Sequence, residues 1–326
     1  MVNPHSIFQI KTQEDFEKKA LEVFRFQFEN VPVYRSFCDL LYVHHSDVKS
    51  LKDIPFLPIT FFKSHQVLIE GQNTETVFSS SGTTGQAVSK HHVSNLAIYE
   101  QSFTTGFKHF YGPIEDYTVL ALLPSYLERS GSSLIYMAEQ LIALSKQEKS
   151  GFYLHNLSEL HTVLEQLEQA DKKTLLIGVS FALLDLAEKH PMQLRNTIVM
   201  ETGGMKGRRK ELIREELHDI LKSGLGVKTI HSEYGMTELL SQAYSKGHGV
   251  FECPKWMQVV ARDPEDALSL LETNKTGGLN IIDLANINSC AFIATQDLGK
   301  VNTDGTFEVL GRFDHSDIRG CNLMAL

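Results

Sequence analysis

The feature that most narrows the possible folds is an alternation. Between Ser94 and His231 the apolar runs YTVLALLP, FYL, TLLIGV, NTIVMET and VKTIH are separated by segments with helical periodicity. Those segments open at Ser94, near Ser130 and at Ser158, and continue as FALLDLAEKH and GRRKELIREELHDILK. Uninterrupted apolar strands interleaved with helices imply a parallel sheet covered on both faces, an α/β fold. After Tyr234 the pattern changes to WMQVVAR, GGLNIIDL, CAFIATQD and TFEVLGR, a β-rich C-terminal part. Ahead of the alternation, Thr12 is placed to cap a helix whose Phe16, Ala20, Val23, Phe24 and Phe28 recur at helical spacing and which ends near Asn30 and Pro32. The next segment, DIPFLPITFFKSHQV, reads as extended and leads into a strand, ETVF. No repeat or linker is visible, so residues 1–326 read as one α/β domain.

Composition sets the classes to exclude. With 42% hydrophobic and 22% charged residues the chain can bury a sizeable core, and a formal net charge of -9 argues against a general nucleic-acid binder. Its four cysteines, Cys38, Cys253, Cys290 and Cys321, form neither a CxxC nor a Cys/His ligand pattern, which fits a reducing cytoplasm. The N-terminus lacks the basic segment and apolar core of a signal peptide, and TLLIGVSFALLDLA is short of the roughly 20 apolar residues of a membrane span. The expectation is a cytoplasmic protein acting on small molecules or proteins.

The ETVF strand stops at FSSSGTTG. Ser80, Ser81, Gly82, Thr83, Thr84 and Gly85 combine small side chains, hydroxyl donors and freed backbone N–H groups, which suits a loop that wraps phosphate. It is not a Walker A loop, since no GK[ST] follows, and a flexible surface loop is the competing reading. GVSFA falls short of the hydrolase GxSxG, because Ala182 replaces the last glycine.

The loop resembles the [ST]SG[ST]TG phosphate loop of the adenylate-forming superfamily, and further signals of that superfamily follow in order. TGG at 202–204 is similar to its Gly-Gly turn beside the adenine, which would give Gly203 and Gly204 that role. EYGMTE at 233–238 resembles its YGxTE signature. By that likeness Tyr234 lies against the base, Gly235 belongs to the same nucleotide-binding segment, Thr237 touches the α-phosphate and Glu238 serves Mg2+. TQDLG at 295–299 is similar to TGDLG, and LGRFD at 310–314 to GRxD, so that Asp297 and Arg312 would hold the ribose. The resemblance implies ATP and Mg2+ as cofactors and the large N-terminal domain of an adenylate-forming enzyme as the fold.

Most of the superfamily continues into a small domain bearing a catalytic lysine, and the expectation here is of the core domain alone, a branch that either lacks that domain or works without it. The ending DIRGCNLMAL, together with IPFLPITFFK upstream, resembles the acyl-protein synthetase (LuxE-like) family of fatty-acid reductase complexes, whose acceptor is a cysteine near the C-terminus. The resemblance implies that Cys321 takes the acyl group, with Arg319 and His315 favouring the thiolate. GRFDHSDIRG departs from the superfamily's GRxDDxxK hinge. His91, Tyr126 and Arg129 are further substrate-site candidates, the last two from the segment where the superfamily lines its carboxylate pocket. The implied partner is an acyl reductase or acyltransferase. Two other readings stand beside this one: an acyl- or aryl-CoA ligase, with CoA supplying the thiol, and a non-catalytic nucleotide-binding subunit of a biosynthetic complex.

Overall fold

A computed structural model describes residues 3–80, 88–124, 131–203 and 212–313. The chain forms two compact units, one of Phe78–Ser80 and Tyr99–Phe251, the other of Met1–Val77, Ser81–Ile98 and Glu252–Leu326.

The first unit is built on the alternation. Its six-stranded sheet has the spatial order Gly151–Phe152, Thr118–Leu122, Thr174–Gly178, Thr197–Glu201, His231–Tyr234 and Ala243–Ser245. All neighbours pair in parallel except the last strand, which turns back antiparallel to close that edge. VKTIH forms a strand only from His231, so the pairing segment lies further along than its apolar run suggests and extends through Tyr234. Polar Ser232 and Glu233 are admitted because their strand pairs with only the last two residues of its parallel neighbour. The helices Leu157–Gln169, Ser180–Lys189 and Arg214–Leu225 cover one face, burying Leu160, Leu164, Leu183, Leu186, Leu221 and Leu225 against Leu120, Leu122 and Leu176. Each such side chain contributes roughly 1.5–3 kcal/mol of hydrophobic stabilisation.

From the Thr118–Leu122 strand the chain first goes outward to Gly151–Phe152 and then returns to Thr174–Gly178 on the other side. The carboxyl end of Thr118–Leu122 is therefore the point where the winding reverses, the usual place for a ligand in an open α/β sheet. Ser132 caps the following helix, Ser133–Ser145, as its hydroxyl accepts from the Ile135 amide.

The other unit joins both ends of the sequence. Thr12 and Asp15 form a capping box that starts the helix Gln13–Asn30, and Pro32 at the first turn of Pro32–Leu40 starts the next without losing a hydrogen bond. These helices meet an antiparallel sheet whose order is Phe307–Arg312, Phe292–Val301, Thr276–Asp283 and Met257–Arg262. Leu57–Pro58 pairs in parallel with Ile293 and Ala294. Phe24 and Tyr34 pack on Phe292 with ring centroids 6.2 and 6.0 Å away. The buried Gln27 amide donates to the carbonyls of Asn286 and Ile287 at 2.8 and 2.9 Å, and its oxygen accepts from the Ala291 amide at 3.0 Å. One side chain thereby satisfies three backbone groups that burial would otherwise leave unpaired. No helix among the described residues is long and apolar enough to cross a membrane.

Candidate active site

In the first unit the described candidates Gly203, Tyr234, Gly235, Thr237 and Glu238 lie at or just beyond the carboxyl ends of two neighbouring strands of the sheet. The Thr76–Ser79 strand delivers Ser80, and the Ser79 amide donates at 2.7 Å to the carbonyl of Gly131, in the segment that leaves the reversal-point strand. Ser81, Gly82, Thr83, Thr84 and Gly85, like Tyr126, Arg129, Gly204 and Cys321, lie outside the described residues.

Gly203 stands two residues beyond the Thr197–Glu201 strand, exposed and with φ +70°, and a Cβ there would meet nothing within 4 Å. The turn thus needs glycine for its left-handed backbone and presents an open face. Tyr234 ends the adjacent strand, buried, with its ring 5.8 Å from Phe251. Gly235, Thr237 and Glu238 follow in the connection to Ala243–Ser245, which is braced by the Leu239 amide donating to the Met236 carbonyl at 3.0 Å. A side chain at Gly235 would collide with the Glu233 carboxyl.

Glu238 is buried, only 5% exposed. Among the described residues no group of three or more His, Cys, Asp or Glu side chains could hold a metal ion by itself.

Sequence reasoning missed the acidic pair behind this rim. Glu201 is buried, and its Oε2 accepts from the Gly203 amide at 2.8 Å and from the Ser180 hydroxyl at 3.3 Å. Burial by itself would push this carboxyl up. His218, the Gly203 amide and the charge of Arg214 more than offset that and hold it below its ordinary value. Glu233 is the opposite case, since burial and then the Glu201 charge push its carboxyl up to about 8. Glu233 is therefore protonated at neutral pH, while Glu201 is ionised. The only signal in the sequence was a carboxylate at the end of the NTIVME strand and another just ahead of Tyr234.

A stability consequence follows from Glu233. In the unfolded chain it ionises near the ordinary value, whereas the folded protein keeps the proton up to about pH 8, so the native state binds the extra proton in between. Stability should fall as pH rises across that window, and Glu233→Gln should flatten the fall. Thermal unfolding of both proteins from pH 5 to pH 9 checks this, and parallel curves would refute it.

In the other unit, Asp297 and Arg312 face each other in register on neighbouring strands, with Arg312 Nε 3.2 Å from Asp297 Oδ1. Asp297 is buried and Arg312 is exposed on its outer side. Arg262, also not anticipated, lies close by, donating to the carbonyls of Leu279 and Thr295 and to Asn280 Oδ1 at 2.9, 2.6 and 2.8 Å. His91 is fully buried, its ring edge-on to Phe62 at 5.5 Å. His92, on the opposite side of the same strand, lies 3.3 Å from Thr74 Oγ1.

The fold is that of the adenylate-forming ligases. Its similarity to 2-hydroxyisobutyryl-CoA ligase in complex with 2-HIB-AMP has a TM-score of 0.63 at 14% identity, covering 92% of this chain and 68% of that one. The same ligase with 2-HIB-AMP and CoA gives 0.60 at 14%, covering 96% and 68%. MatB from Rhodopseudomonas palustris with ATP bound gives 0.55 at 16%, with 74% of this chain matched, and the chain spans about half, 48%, of that protein. A search of curated proteins finds no match in sequence. The acyl-protein synthetase, LuxE, family profile matches residues 3–325, and the chain belongs to that family.

Proposed function

We propose that this chain activates a carboxylic acid, in keeping with its family a fatty acid, by reaction with ATP and then transfers the acyl group to Cys321. The observation that carries the thiol transfer is the state of the other cysteines. Cys38 and Cys290 are fully buried, and burial pushes the Cys38 thiol up to about 12 and the Cys290 thiol higher still. Cys253 is raised in the same way. Thiols held so far from ionisation are poor nucleophiles, which leaves Cys321 as the acceptor within the chain.

In the first step a substrate carboxylate oxygen bonds to the α-phosphorus of ATP and the bond to pyrophosphate breaks. The 80–85 loop and Thr237 hold phosphate oxygens, Tyr234 and the 203–204 turn hold the base, and Asp297 with Arg312 hold the ribose. Glu238 would hold Mg2+, which when bound neutralises the charge that gathers on the departing pyrophosphate. Alignment and fixed charges supply most of the acceleration. In the second step the Cys321 thiol gives up its proton, the sulfur bonds to the acyl carbon, and the carbon–oxygen bond to AMP breaks. The thioester then serves a reductase or acyltransferase partner. The cytoplasm, where thiols stay reduced, suits this chemistry.

Replacing Thr83 and Thr84 together with Val removes two hydroxyl donors and keeps the backbone. Kd for ATP should rise at least about tenfold, a hydrogen bond to a charged group being worth roughly 1.5–3 kcal/mol. Calorimetric titration with ATP checks it, and an unchanged Kd would return this loop to an ordinary surface role.

A second reading, an acyl-CoA ligase, is favoured by the likeness to a ligase solved with an acyl-AMP and CoA. AMP release that depends on CoA and survives loss of Cys321 would select it.

A further inference from the structure

The turn at 202–203 is held by more contacts than a surface turn needs. The Gly203 amide is bound by Glu201 Oε2 at 2.8 Å, and its carbonyl accepts from the Ser180 amide at 3.2 Å. The Thr202 amide donates to the Gly178 carbonyl at 3.0 Å. The peptide groups are thus pinned on both sides, while the face above Gly203 stays open. Behind them, the other Glu201 oxygen lies 3.8 Å from His218 Nε2, and both side chains are buried. His218 and Arg214 are one turn apart on the helix Arg214–Leu225, so they share a face. Arg214 also lies 5.1 Å over the Phe251 ring, which in turn packs on Tyr234. A buried carboxylate is costly unless it is paired and hydrogen-bonded, and here the cost is offset by the Gly203 amide and the Ser180 hydroxyl on one oxygen and by His218 near the other.

We propose that Glu201 is a positioning residue of the nucleotide site, whose carboxylate oxygen, backed by His218 and Arg214, fixes the Thr202–Gly203 turn against the Tyr234 side of the base. This rests on the nucleotide reading given above. It also states which property of Glu201 matters, namely the reach of the oxygen to the Gly203 amide rather than its charge.

The test compares Glu201→Asp, which keeps the charge but withdraws the oxygen by one methylene, with Glu201→Gln, which keeps the oxygen and loses the charge. ATP binding is measured by calorimetry, and kcat and KM for ATP by carboxylate-dependent pyrophosphate release. Glu201→Asp should raise Kd and KM for ATP about tenfold, as expected for a lost hydrogen bond to a charged group, with kcat at saturating ATP changed less. Glu201→Gln should stay within about threefold of wild type, since an acceptor remains for the amide. A role confined to charge balance for His218 and Arg214 gives the reverse, Asp tolerated and Gln not, and that result overturns the proposal. So does ATP affinity unchanged in both variants, with only thermal stability lowered. If either variant fails to fold, Ser180→Ala, which removes a donor to the same oxygen, should raise Kd for ATP by about threefold, and an unchanged Kd overturns the proposal. Wild-type protein that binds no ATP overturns the nucleotide reading and this inference together. Wild-type binding with unaffected variants overturns this inference alone.

Discussion

Cys321→Ser should still release pyrophosphate and form acyl-AMP, yet retain no label from a radioactive fatty acid after denaturation. The reason is nucleophilicity. A serine hydroxyl is scarcely ionised at neutral pH, whereas a thiol is partly so and its thiolate attacks well. The remaining thiols cannot take over, because Cys38, Cys253 and Cys290 are all pushed far from ionisation, chiefly by burial. Label on the wild-type protein should be released by neutral hydroxylamine, the behaviour of a thioester. Retention of label by Cys321→Ser, or no labelling of wild type in the absence of CoA, would remove self-acylation and put the CoA ligase reading first.

Glu238→Gln should lower carboxylate-dependent pyrophosphate exchange on the order of a hundredfold or more, as loss of a metal ligand forfeits several kcal/mol of charge stabilisation and each 1.4 kcal/mol is tenfold in rate. The substitution keeps the volume of a side chain that is only 5% exposed, so packing survives and the effect isolates the charge. An exchange rate close to wild type would detach Glu238 from metal binding.

The two replacements separate the half-reactions. Loss of Glu238 stops the chemistry before acyl-AMP forms, while loss of Cys321 stops it afterwards, so acyl-AMP should accumulate in the second variant and not in the first.

Much of the sheet was legible because its strands are apolar throughout. TLLIGV and NTIVMET became Thr174–Gly178 and Thr197–Glu201 with little displacement, since the buried centre of a parallel sheet leaves no other role for such runs. The His231–Tyr234 strand was displaced from VKTIH because its pairing, with Met200 and Glu201 on one side and Ala243–Ser245 on the other, starts only at His231, so apolar character did not decide its bounds. Asp297 and Arg312 were legible as separate residues, but not as a pair across two strands, because register is a property of the assembled sheet. Glu201 and Glu233 escaped notice for a related reason. Their roles depend on His218, Arg214, Ser180 and each other, residues brought together only by the winding of helices onto the sheet.

The pairing of Leu57–Pro58 with Ile293–Ala294, and of Gln27 with the 286–291 segment, has a consequence for biosynthesis. These contacts join segments that leave the ribosome more than two hundred residues apart. At about 5–20 residues per second, Phe24 and Tyr34 wait on the order of tens of seconds for Phe292 to emerge. The helix-covered parallel sheet, by contrast, is contiguous in sequence apart from Phe78–Ser80 and can close while synthesis continues. The nascent chain thus carries the apolar face of its Gln13–Asn30 helix, Phe16, Ala20, Val23, Phe24 and Phe28, without its final strand partner for most of its synthesis.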